Sequence, residues 1–169
     1  MGLFDFLKKK EEVVLEPVNV DDDAIVALND GKVIDIADVS DPVFAQKMMG
    51  DGIAFVFEGD KTVLCAPANG TLTVLFPTGH AFGVTTNKGV ELLVHCGIDT
   101  VNANGDGFKL CKKKQGDVVK AGDPIVEVDL KKLSARYDMS TMLIVTNANG
   151  REIAFIEPAD VKRGESVIK

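Results

Sequence analysis

Tryptophan is absent from the 169 residues, tyrosine occurs once and histidine only twice. With His80 and His95 alone, a metal centre built from three histidines of one chain is excluded. The three cysteines, Cys65, Cys96 and Cys111, are odd in number and far apart in sequence. That argues against a disulfide framework and a cysteine-rich zinc site, and it fits a reducing cytoplasm. Positive charge is in deficit: 19 Lys and Arg face 26 Asp and Glu, for a net charge of −7. Nucleic-acid binders carry a basic footprint, so nucleic acid is not an expected partner. A membrane-spanning helix needs about 18 or more consecutive apolar residues, and no run approaches that length. No secretory signal is visible at the N-terminus either. What is present is ordinary for a globular protein, 46% hydrophobic and 27% charged. The length predicts one domain plus a short tail, with enough chain to bury a core.

Residues 1–23 read as a flexible N-terminal segment and residues 24–169 as the domain. Leu3, Phe4, Phe6 and Leu7 form an apolar cluster beside Lys8, Lys9 and Lys10. Leu3, Leu7 and Phe4 share a side at helical spacing. Such a helix is too short to stand alone in water, and a lipid surface could supply the missing burial. The other reading is a frayed tail. Glu11 to Asp23, with Pro17 and three consecutive aspartates, reads as an acidic tether.

From Ala24 onward, short apolar runs alternate with Gly, Asn, Asp and Pro. Strands are expected at Ala24–Leu28, Gly31–Asp35, Gly52–Glu58, Thr62–Cys65, Gly70–Phe76, His80–Thr86, Val90–His95, Asp117–Val119, Pro124–Asp129 and Leu143–Thr146. Short helical turns are expected at Pro42–Met48 and Leu130–Ala135. Many short strands at close spacing predict an all-β sandwich or barrel. The two Gly-Asp pairs around Val118 and Val119 read as tight turns at a corner of it. Similar wording occurs in lipoyl and biotinyl carrier domains, but their exposed lysine hairpin is missing here.

The histidines sit in Thr78-Gly-His80-Ala-Phe82 and Leu92-Leu-Val-His95-Cys-Gly97-Ile-Asp99, joined by a hairpin turning near Asn87-Lys88-Gly89. A two- or four-residue loop places His80 directly opposite His95. A three-residue loop places them on opposite faces, because a one-residue slip flips every side chain. The sequence leaves both open. Alternation puts Leu92, Val94, Cys96 and Ile98 on the core face, with Glu91, Leu93 and His95 outward. Phe82 and Leu93 are expected to make that outer surface apolar. Two arbitrary histidines would more often be plain surface residues; the words around them decide otherwise.

Those words resemble the glucose-type enzyme IIA of the bacterial phosphoenolpyruvate-dependent sugar phosphotransferase system. Four blocks carry the resemblance: residues Asp38 to Ala54, Ala66 to Thr71, Thr78 to Phe82 and Gly89 to Val101. It extends over about residues 24 to 157, and the opening Met-Gly-Leu-Phe-Asp is also similar. The resemblance implies an antiparallel β-sandwich, a barrel-sandwich hybrid with a few short helical turns. It implies a phosphoryl carrier: His95 accepts from phosphohistidine of HPr and hands on to the IIB domain of a sugar permease. By the same resemblance His80 stabilises the moving phosphoryl group and Thr78 orients His80. Nε2 of His95 would be the nucleophile, with Nδ1–H held by a carbonyl near Gly97.

The chemistry agrees with this. A neutral imidazole is a competent nucleophile near pH 7. Phosphoryl transfer between carriers needs in-line positioning and stabilisation of the equatorial oxygens. No cofactor is required and no phosphate-binding G-x-x-x-x-G-K-[ST] occurs. The resemblance implies an apolar docking rim of Val43, Phe44, Met48, Met49, Phe76, Leu93 and Val101. Asp41 and Asp99 would face an arginine of the donor. Cys96, Leu93 and Pro42 depart from the family's usual residues, which bears on partner choice. No metal site is intrinsic; zinc would be held by His80 and His95 only with a carboxylate from a partner. Alternatives are a lipoyl- or biotinyl-like carrier and a regulatory binding protein of the same fold. The expected location is cytoplasmic, with a weak peripheral contact to the inner face of the membrane through residues 1–10.

Overall fold

The computed structural model describes residues 13–169. Eleven strands are present among them: β1 (Gly31–Asp35), β2 (Asp51–Val56), β3 (Lys61–Cys65), β4 (Gly70–Leu75), β5 (Ala81–Thr86), β6 (Glu91–Cys96), β7 (Phe108–Leu110), β8 (Val118–Val119), β9 (Pro124–Asp129), β10 (Thr141–Asn147) and β11 (Ala159–Val161). Two short helices accompany them, α1 (Pro42–Ala45) and α2 (Leu130–Ser134). Single 3₁₀ turns cover Ile36–Asp38 and Thr100–Ala103. Eight strands form one sheet in the order β11-β1-β2-β10-β6-β5-β4-β8, and β3-β9-β7 form a second. The pairings are antiparallel, as expected of an all-β sandwich.

The main core lies between the sheets. Phe55, Phe82, Val84, Leu92, Val94 and Leu143 of the large sheet pack with Leu64, Ile125, Val126 and Val128 of the small one. Burying an aliphatic or aromatic side chain is worth about 1.5–3 kcal/mol, so this layer dominates stability. β2 and β10 are buried over most of their length, on both faces. Their outer face carries a second, smaller cluster of Ala54, Met142 and Ile144, covered by Ile36, Val39 and Phe44. Through that cover the 3₁₀ turn and α1 bring Asp41 and Phe44 beside His95 of β6, the strand next to β10.

Local chemistry explains the cover. Asp41 caps α1 by accepting from the Val43 amide, and Pro42 follows at the first helical position, where its missing N–H costs nothing. The helix stops at Ala45, short of the expected Met48, because Lys47 turns into the left-handed region. α2 likewise ends at Ser134.

The expected strand Ala24–Leu28 does not form, although Ile25, Val26, Ala27 and Leu28 are buried. Its amides and carbonyls bond to several different segments, with Val26 on Pro67, Ala27 on Glu165 and Ile25 on Val167, so no ladder forms. Only a single bridge, Val26 to Ser166, remains. Conversely, β7 and β11 were not expected; each is only three residues long, too short to show alternation. Part of the segment read as a tether lies along the body. Arg163 donates to the carbonyl oxygens of Glu16 and Gly122, and Asn69 donates to that of Val20. The apolar cluster at Leu3 to Lys10 lies outside the described residues.

Candidate functional site

The two histidines meet at one end of the β5–β6 hairpin. Their ring centroids are 5.4 Å apart and the planes cross at 78°. The register is not the one expected to bring them together. Ala81 pairs with His95 and Phe82 with Val94. The Thr86 amide donates to the Val90 carbonyl, leaving a three-residue connection at Asn87–Gly89. That loop should have separated the histidines. It does not, because β5 begins at Ala81 and His80 lies in the bend before it. The His80 carbonyl still accepts from the Cys96 amide at 2.7 Å. Outside the strand, alternation no longer governs its side chain. Gly79 makes the bend: its φ is +78°, and a Cβ there would stand 2.9 Å from Cβ of Phe108.

The same register corrects Phe82. Paired with Val94 instead of Leu93, it is fully buried in the main core and contributes nothing to the outer surface. β6 alternates as expected, with Leu92, Val94 and Cys96 buried and His95 half-buried. Ile98 is not on the core face: the chain turns at Gly97, and Ile98 joins the smaller cluster.

His95 is held at one nitrogen. Its Nδ1 lies 2.9 Å from the carbonyl oxygen of Gly97. A carbonyl can only accept, so Nδ1 carries the proton and the neutral ring presents a lone pair at Nε2. His80 Nδ1 lies 2.7 Å from Thr78 Oγ1. With the hydroxyl donating, His80 keeps its proton at Nε2. Burial holds both imidazoles below the ordinary histidine range, and each is neutral at pH 7. Repulsion between the two rings, were both protonated, adds to the effect on His80. For His95 the Gly97 carbonyl and the Asp41 and Asp99 carboxylates pull the other way. They supply negative potential beside the ring without ionising it at neutral pH.

The surroundings are apolar. Phe44 is buried and lies with its ring centroid 5.1 Å from that of His95. It therefore supports the histidine from the smaller cluster and is not part of an exposed rim. Leu93 is half-buried against the same cluster. Phe76 sits edge-on to His80 at 5.1 Å and is 42% exposed. Val43, Met48, Met49 and Val101 are exposed as the docking reading requires. Exposed apolar side chains that form a contiguous patch are a feature of surfaces that meet another protein.

The peptide that fixes His95 is itself gripped. The Gly97 amide donates to the Ser140 carbonyl at 3.0 Å, and the Ile98 amide donates to the Asp138 carbonyl at 2.8 Å. Nothing in the sequence singled out Asp138, Ser140 or Ser40. They are common polar residues in loops, and only the fold brings them to Gly97. A groove of about 580 Å³ elsewhere, bounded in part by Lys61, Phe108 and Lys132, contains neither histidine. Among the described residues no group of three or more His, Cys, Asp or Glu is placed to hold a metal ion. Nor is any helix among them long and apolar enough to cross a membrane.

Comparison with known proteins places these features in a family. Residues 23–150 match the family described as phosphoenolpyruvate-dependent sugar phosphotransferase system, EIIA 1. The chain is 42% identical over 139 residues to the glucose-specific EIICBA component of Staphylococcus carnosus, covering 82% of this chain and 20% of that protein. It is 41% identical over 146 residues to the corresponding component of Staphylococcus saprophyticus, covering 86% and 21%. The chain thus spans about a fifth of the length of these curated relatives. The solved glucose permease IIA from Mycoplasma capricolum superposes with a TM-score of 0.79 at 38% identity, covering 86% of this chain and 93% of that one. The matched residues contain both histidines and the whole of the site. The chain belongs to the glucose-type EIIA family of the phosphoenolpyruvate-dependent sugar phosphotransferase system.

Proposed function

We propose that the chain carries a phosphoryl group on Nε2 of His95, accepting it from phosphohistidine of HPr and passing it to the IIB domain of a sugar permease. The observation that carries this reading is the tautomer of His95. With Nδ1–H committed to the Gly97 carbonyl, the lone pair at Nε2 is free for attack.

In the forward step Nε2 attacks phosphorus in line with the donor's N–P bond. A new N–P bond forms, the donor nitrogen leaves with its electron pair, and the donor ring returns to neutral imidazole. The His95 ring gains positive charge as the bond forms. Its Nδ1–H stays on the Gly97 carbonyl, and Asp41 and Asp99 favour the added charge. Once the phosphoryl group is on His95, Nε2–H of His80, oriented by Thr78, would donate to an equatorial oxygen as charge spreads over the group in the onward step. No cofactor enters this step. Zinc would need a partner's carboxylate, since two imidazoles make only half of a tetrahedral site.

The exposed apolar group of Val43, Met48, Met49, Phe76 and Val101 suits a flat protein partner that must approach in line and leave again. Asp41 and Asp99 would pair with a cationic group of the donor. This work would take place in the cytoplasm, at the membrane's inner face where a permease presents its IIB domain. The cluster at residues 1–10 would give a weak peripheral hold there.

The test is direct. The pure protein is mixed with phosphoenolpyruvate, enzyme I and HPr, and intact mass is read under conditions that preserve phosphohistidine. One added phosphoryl group, dependent on HPr and lost in His95→Gln, is expected. No mass change with proven components, or retained labelling in His95→Gln, would overturn the reading.

A further inference from the structure

The Gly97 carbonyl and the Ile98 amide belong to one peptide unit. In a trans peptide they point in opposite directions. The carbonyl receives Nδ1–H of His95, and the amide is held by the Asp138 carbonyl at 2.8 Å. Anything that holds residues 138–140 in place therefore holds the acceptor that sets the His95 tautomer. The holder is the Asp138 side chain. Its Oδ1 accepts from the Ser140 amide at 3.0 Å and from the Ser140 hydroxyl at 2.8 Å. The Ser140 carbonyl, at the other end of this turn, takes the Gly97 amide. Oδ2 of Asp138 accepts from the Ser40 hydroxyl at 2.9 Å. Ser40 immediately precedes Asp41, whose carboxylate acts on His95. One exposed carboxylate thus fastens both segments that surround the nucleophile.

We infer that Asp138 is a positioning residue for phosphoryl transfer, locking the peptide after Gly97 so that His95 stays in its Nδ1–H tautomer and tying the Asp41 segment to the same turn. This rests on His95 being the carrier nucleophile. These hydrogen bonds, strongest among them the one from the Ser140 amide, hold the Asp138 carboxyl below the usual carboxylate range. It is therefore ionised across the neutral range and makes charge-assisted bonds. Asp138 touches neither the histidine nor the space for the phosphoryl group, so its effect passes entirely through the backbone.

The experiment compares the intact protein with Asp138→Ala and Asp138→Asn. Nitrogen NMR of the two histidine rings reports the tautomer without any phosphoryl donor, and quench-flow labelling reports the uptake rate from phosphorylated HPr. In Asp138→Ala, His95 should show a mixture of Nδ1–H and Nε2–H forms while His80 is unchanged. The uptake rate should fall about tenfold, the scale of one lost charge-assisted hydrogen bond. Asp138→Asn keeps Oδ1 for Ser140 and can donate to the Ser40 hydroxyl, so it should restore both readouts in large part. An unchanged His95 tautomer and rate in Asp138→Ala would overturn the inference, as would a fall in melting temperature with the tautomer intact. Should Asp138→Ala not fold, Ser40→Ala decides whether the tie to the Asp41 segment matters: an unaltered rate there, with Asp138→Asn matching the intact protein, would count against it. Failure of the carrier reading would appear separately, as no uptake by the unaltered protein.

Discussion

His95 gives its Nδ1 proton to the carbonyl of Gly97, two residues further along the same chain, at 2.9 Å. So short a loop back is available because Gly97 has φ of +81°. The His95 ring is thus oriented by its own neighbour, and the neighbour is oriented by the turn at Asp138–Ser140.

Gly97→Ala should damage both stability and transfer. A Cβ there would lie 2.4 Å from Cγ2 of Thr100 and 3.0 Å from Sδ of Met139. Left-handed strain plus overpacking should cost about 2–4 kcal/mol. Urea denaturation of the pure protein measures this, and a loss within error of zero would refute the account of Gly97.

His80→Gln is expected to separate the two half-reactions. His95 would still accept a phosphoryl group, because its tautomer does not depend on His80. The onward step should slow by about a hundredfold, comparable with losing one donor to a developing oxyanion. Pulse labelling followed by a chase with an isolated IIB domain gives both rates; normal onward transfer would exclude the role given to His80.

Acid should destabilise the fold through these histidines. Their folded pKa values lie below the unfolded value of about 6.5. Between the two the unfolded chain binds more protons, so stability rises with pH across that window. Above about pH 6.5 the contribution is complete; it is lost as pH falls toward the folded values. Denaturation midpoints measured from pH 7.5 to 4.5 should fall less steeply in His80→Gln and His95→Gln. Superimposable curves would show that burial of the imidazoles does not matter.

Phe44 and Met48 should behave oppositely. Phe44 is 6% exposed and Met48 is 70% exposed. Phe44→Ala should cost about 3 kcal/mol and disturb His95. Met48→Asp should change stability by no more than about 0.5 kcal/mol while raising the KM for phosphorylated HPr several-fold. A large stability loss with unchanged KM for Met48→Asp would remove it from the docking surface.

Removal of residues 1–10 should abolish binding to anionic vesicles and leave phosphorylation intact. Equal sedimentation with vesicles before and after removal would eliminate the membrane contact.

Much of the fold was legible because β-strand alternation is a local property. Leu92, Val94 and Cys96 fell on the core face as read, and nine of the ten expected strands formed near their expected bounds. The site was half legible. The motifs marked His80, His95 and Thr78, and those three are brought together. The route was misjudged, since the loop has three residues and His80 escapes the strand. Ala24–Leu28 looked like a strand because apolar content measures burial, while a ladder needs one continuous partner. Phe44 could not be told from a rim residue, because an aromatic on a short helix reads alike whether it faces inward or outward.

The sequence by itself determined the class of fold, the family and the pair of histidines, because composition, strand period and motif wording are written in neighbouring residues. The resemblance already implied a free Nε2 on His95; only the tertiary structure decided that Phe44 supports that ring from beneath, and that Asp138 reaches Ser40 across 98 positions. Those facts depend on distances between segments remote in the chain, and no local pattern encodes such a distance.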